Sequence, residues 1–117
     1  MRYMFLIYTD ESAAAEMSPQ EKEKVQTAHW NLMDEAKERG VFRIAEPLQP
    51  TTSATTLQVR SGKLLVTDGP FAETKEHLAG FYLVDARDLN EAIQIASKIP
   101  PARVGSVEVR PVRELNP

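Results

Sequence analysis

The chain contains no cysteine. That excludes a disulfide framework, a thiolate nucleophile and any zinc site built on Cys ligands, and it fits a reducing, cytoplasmic setting. Histidine is scarce as well: His29 and His77 stand far apart in sequence, so no pair sits at metal-ligand spacing. Glycine-rich phosphate loops and nucleophile elbows are missing, so neither a cofactor nor a metal is expected. Positive charge is not in excess: 14 Lys and Arg stand against 17 Asp and Glu, for a net charge of -3. Without clustered cations there is no electrostatic footprint for a phosphate backbone, which argues against nucleic acid as a partner. Long hydrophobic runs are also absent. The apolar run from Met4 to Tyr8 falls short of the roughly 7–15 residues of a signal-peptide core and the ~20 of a membrane span. The expectation is a chain neither exported by that route nor held in a membrane.

What is present is ordinary for a globular domain, with 42% hydrophobic and 26% charged residues. A length of 117 residues predicts one domain, 1–117, with a single core and no interdomain cleft. A domain of this size buries only about two-thirds of its unfolded surface, leaving little room for a deep pocket unless a subunit interface supplies it.

Along the chain, Tyr3 to Tyr8 reads as a strand, apolar in succession as when both faces of a sheet are covered. Asp10 to Met17 is a polar, alanine-rich connection. Ser18, Pro19 and Glu21 form a capping box, opening a helix from about Pro19 to Arg39. Val25, Ala28, His29, Leu32, Met33 and Ala36 make its apolar stripe, and Gly40 supplies its left-handed stop. Val41 to Ala45 is a short strand, pushed to an edge by Pro47 and Pro50. Thr55–Arg60 and Lys63–Thr67 flank Ser61 and Gly62 as a hairpin. Glu73 to His77 is a charged stretch, Gly80 to Val84 a strand, and Asp88 with Glu91 caps a second helix that runs to Pro100 and Pro101. Ser106 to Val112 closes the pattern as a strand. The order predicts an α+β domain, a ferredoxin-like βαββαβ with an additional β-hairpin. Because both helices cover one face while the first strand is apolar on both, the simplest arrangement is a twofold dimer of facing sheets.

The run from Asp68 to Glu76, DGPFAETKE, followed by Gly80, Phe81 and Tyr82, resembles the DGPF branch of the YCII-related proteins. The resemblance extends to the YMFLIY strand, EPLQP at Glu46 to Pro50, ATTLQVR at Ala54 to Arg60, and SVEVRPV at Ser106 to Val112. It implies a dimeric α/β barrel. The wider group is similar to muconolactone-isomerase-like enzymes, in which a histidine near the first helix and an aspartate on the sheet form an acid/base pair. By helix position His29 is the candidate histidine, and Asp68 matches the motif residue. His77 stands where a neutral polar residue is common.

Each candidate also has a plain structural reading. Asp68 lies before Gly69 and Pro70, where aspartates initiate turns by bonding backbone amides; a carboxylate there also suits a general base or an imidazole-orienting group. His29 lies on the apolar stripe, where burial favours the neutral, proton-accepting form; a core histidine with one hydrogen bond is the alternative. His77 sits in a charged, loop-like context suited to a solvated side chain. Glu73 and Lys75 read as a solvent-facing surface or the rim of a substrate entrance. Phe71, Phe81, Tyr82 and Trp30 read as core or dimer contacts. The reading that results is a homodimer acting by cofactor-free acid/base chemistry, isomerase- or lyase-like, on a small organic molecule. Asp68 and His29 would be catalytic, and Gly69, Pro70, Phe71, Glu73, Lys75 and His77 would shape or rim the site. The alternative is a non-catalytic ligand-binding or regulatory module with the same cavity.

Overall fold

The computed structural model describes residues 1–100 and 105–115. The chain runs β1 (Arg2–Thr9), α1 (Glu11–Ala15), α2 (Pro19–Glu38), β2 (Phe42–Pro47), a 3-10 turn at Thr51–Ser53, β3 (Thr55–Arg60), β4 (Lys63–Asp68), β5 (His77–Asp85), α3 (Leu89–Ala96) and β6 (Gly105–Pro111). Four strands form one antiparallel sheet in the order β2-β5-β1-β6. With β1–α2–β2 and β5–α3–β6 as its two halves, this is the ferredoxin-like α+β arrangement.

Alternation along the strands places the core. Tyr3, Phe5 and Ile7 of β1 and Tyr82 and Val84 of β5 are buried against Leu32 of α2 and Ala92, Ile95, Ala96 and Ile99 from α3 and its C-terminal turn. Met4, Leu6, Phe81 and Leu83 point to the opposite face, which neither α2 nor α3 reaches, and are half-buried. The helix signals work as their chemistry requires. Ser18 Oγ accepts from the Glu21 amide at 3.1 Å and Asp88 Oδ1 from the Glu91 amide at 2.9 Å. Gly40, at φ +73°, ends α2 by letting the Val41 amide turn back to the Ala36 carbonyl.

Glu91 then ties α3 to α2. Its side chain is 9% exposed, accepts from the Arg87 amide at 2.8 Å and pairs with Arg39 at 3.0 Å. Glu91→Ala is expected to lower stability by about 1 kcal/mol, since it strips a part-buried amide of its acceptor while Arg39 can turn to water. A urea titration with unchanged m would register it.

Three stretches differ from the sequence expectation. Asp10 to Met17 contains a helix, because Asp10 Oδ1 caps the amides of Ser12 and Ala13. β5 begins at His77 rather than Gly80, so His77 is a strand residue, not a loop one. α3 ends at Ala96, after which the amides of Lys98 and Ile99 turn back to Ile95 and Ala96 in tighter turns; Pro101 lies outside the described residues.

The hairpin leaves the sheet. Among the described residues β3 and β4 pair only with each other as a separate two-stranded ladder, turning at Ser61 and Gly62, both with positive φ. The radius of gyration is 16.2 Å, against roughly 13 Å for a compact domain of this length. One face of the hairpin carries Leu57 and Val59 opposite Val66 and Leu64, each at least 60% exposed.

Candidate functional site

A cavity of about 260 Å³ opens between α2 and the sheet. Its floor is Ile7 of β1, Ala45 of β2 and Gly80 and Tyr82 of β5; Gln26, His29, Trp30 and Met33 of α2 line it from above. These four recur at three- and four-residue spacing, so one helical face covers the hollow. Gly80 allows β2 to come close: a Cβ there would sit 2.8 Å from the Glu46 carbonyl oxygen. Trp30 is 58% exposed and stands at the mouth.

Beside Thr9, Gln26 and Glu46, the polar groups of this mostly apolar hollow include a hydrogen-bonded pair. His29 Nδ1 lies 2.5 Å from the Tyr82 hydroxyl, and the two rings are nearly stacked, 5.8 Å apart at 24°. Burial lowers the His29 pKa from its ordinary value and pushes the Tyr82 phenol up to about 12. Both groups are therefore uncharged at neutral pH. The phenol hydrogen has one acceptor among the described residues, His29 Nδ1, so satisfying it assigns Tyr82 as donor and leaves the imidazole proton on Nε2.

The lowered His29 pKa has a consequence for stability. The unfolded chain takes up a proton near pH 6.5 while the folded chain resists it, so stability falls as pH drops through about 6.5 and levels below the folded pKa. His29→Gln should flatten that segment of a stability–pH curve. The lowered carboxylates of Glu35, Asp85 and Glu114 act lower still, losing their contribution as pH falls below the ordinary carboxylate range.

The structure does not bring His29 and Asp68 together within one chain. Asp68 ends β4 opposite Thr55, exposed, and no hydrogen bond or ion pair joins it to His29. The turn after it is fixed by backbone contacts: Gly69, at φ +96°, donates to the Ala54 carbonyl at 2.7 Å and accepts from Thr56 Oγ1 at 2.8 Å. Pro70 is half-buried, Phe71 is 83% exposed, and Glu73 and Lys75 are exposed. Among the described residues no three His, Asp or Glu side chains group as a metal site would need.

His77 is nearer the cavity than its sequence context suggests. The β1–β5 register slips between Ile7 and Tyr8: Ile7 pairs with Gly80, Tyr8 with Leu78 and Thr9 with His77. The extra residue, Ala79, re-aims everything before it, so His77 shares with Thr9 the face that carries Ile7 and Tyr82. There it lines a second hollow of about 470 Å³, with Glu11 and Lys22, that shares Thr9 and Ala79 with the first. Tyr82 is the residue that sequence reasoning missed as a partner. The available signal was its position two residues before the buried Val84 on a strand under an apolar-faced helix.

Two comparisons bear on identity. The chain is similar to an uncharacterized protein of Rhizobium meliloti (strain 1021), 41% identical over 119 residues, covering 100% of this chain and 96% of that protein. The model of the YCII-related domain matches residues 1–116. A match over nearly the whole chain places this protein in the YCII-related family.

Proposed function

We propose that the chain acts as a homodimer in which each cavity beneath α2 binds a small organic molecule and the His29–Tyr82 pair moves a proton on it. The chemistry would be isomerase- or lyase-like and need no cofactor. The 2.5 Å contact between imidazole and phenol, both neutral and set in an apolar hollow, carries this reading. A proton leaving the substrate passes to the Tyr82 oxygen as the phenol's own proton passes to His29 Nδ1. This leaves an imidazolium and a substrate anion; returning the proton at another atom completes an isomerisation. In the DGPF branch that the sequence resembles, Asp68 is the motif carboxylate. Here it would reach the pair only from a second copy, with Gly69 and Pro70 aiming it and Glu73 and Lys75 at the rim.

The test is a screen of small lactones and ring acids in deuterated water, read by NMR for deuterium entering the compound. Exchange that depends on His29 is the expected result, and binding without exchange would sink the catalytic reading. One observation favours a second reading, a non-catalytic ligand-binding or regulatory module: among the described residues no carboxylate orients the His29 ring. That module would bind compounds and exchange nothing.

A further inference from the structure

Resting on the reading of the cavity as a small-molecule site, we infer that its ligand is an elongated organic anion. Its apolar part would lie beneath Trp30 and Met33, and its carboxylate or similar acidic group at Lys22 and His77. The two hollows share Thr9 and Ala79 in their walls and so adjoin end to end beneath α2. α2 roofs them with Lys22, Gln26, His29, Trp30 and Met33, a stripe of one helical face that passes from a cation through an amide to apolar side chains. At ~1.5 Å per residue Lys22 and Met33 stand roughly 16 Å apart along the helix, and Lys22 and His29 roughly 10 Å. The floor grades the same way: β5 passes from His77 to Gly80 and Tyr82, and the bulge at Ala79 turns His77 into the second hollow.

The charges at the polar end favour an anion. Lys22 takes part in no ion pair among the described residues. Glu11, the opposing charge in the same hollow, accepts the Thr51 amide at 3.3 Å through Oε1 and keeps its charge, which an anion at Lys22 must outweigh. A ligand with one acidic end and one apolar end satisfies Lys22 and still places its middle beside His29 and Tyr82.

Trp30 is the sole tryptophan and lines the apolar end, so its fluorescence reports occupancy. The probes are phenylbutyrate, its neutral analogue phenylbutanol, and butyrate, titrated into the full chain. The expected order is phenylbutyrate tighter than phenylbutanol by about tenfold, with butyrate weakest. The advantage of acid over alcohol should shrink in high salt and in Lys22→Met, grow in Glu11→Gln, and persist in Lys24→Met, a charge that lines a different hollow on α2. If acid and alcohol bind equally, the anionic end is overturned while the apolar cavity stands. If neither probe alters Trp30 emission, the small-molecule reading beneath it falls as well.

Discussion

Tyr82→Phe is expected to lower turnover of any substrate found by the exchange screen by about 10²–10⁴-fold, the range for removing a positioned acid or base. The substitution keeps the ring, so Tyr82's packing against the core and the shape of the cavity floor survive. Only the oxygen that faces His29 Nδ1 is lost. Its structural cost is one hydrogen bond, about 0.5–1.5 kcal/mol, so a rate loss in the predicted range far exceeds what misfolding would explain. His29→Asn should cost a similar factor. The double variant should be little worse than either, because two groups that pass one proton act as a unit and their losses do not add. Additive losses, or a Tyr82→Phe rate within a few-fold of wild type, would return Tyr82 to the role of a core residue.

Sequence alone singled out one half of this pair. His29 is legible because a helical stripe is local: Val25, His29, Leu32 and Ala36 follow from a 3.6-residue period, and so does the burial that keeps the imidazole neutral. Its partner is not local. Which strand lies under α2, and which strand residue meets position 29, depends on sheet order and register; in sequence the place of Tyr82 two residues before Val84 marks it for the core without naming its partner. Asp68 drew attention through its motif. A motif marks a position without giving its distance from another residue, and in the chain Asp68 ends a hairpin strand that leaves the main sheet. His77 shows the same limit. A one-residue bulge reverses which face a side chain takes, and nothing in the charged and small residues from Glu76 to Gly80 announces the slip.

The elements themselves were far more legible. Both helix N-caps, the Ser61–Gly62 turn and the order of elements follow from residue chemistry that acts within a few positions, joined by few allowed ways of connecting strands and helices. Boundaries failed where a competing contact decided them. Asp10 converts a connection into a helical turn, and the cross-strand pairing of Thr9 with His77 extends β5 into a charged run.

The projecting hairpin leads to the second large effect. Replacing Val59 and Leu64 together by glutamate is expected to raise the dimer dissociation constant by about a thousandfold or more, enough to leave monomer at micromolar concentration. These residues are cross-strand partners on the apolar face that also carries Leu57 and Val66. A monomer in water gains nothing from a ladder that packs on no core, and an exposed apolar face of this kind marks an interaction surface. A second copy is the occupant we propose: the sheet face bearing Met4, Leu6, Phe81 and Leu83 is likewise reached by neither α2 nor α3, and a twofold axis lets two sheets and two hairpins cover one another. Each side chain buried there would contribute on the order of 1 kcal/mol or more, and a glutamate in its place must be desolvated without a partner. The hairpin lies outside the core cluster, so the variant should keep the circular dichroism of the wild type while its mass in analytical ultracentrifugation halves. A wild-type chain that sediments as a monomer would overturn the dimer, and with it any contribution of a second copy's Asp68 to the cavity.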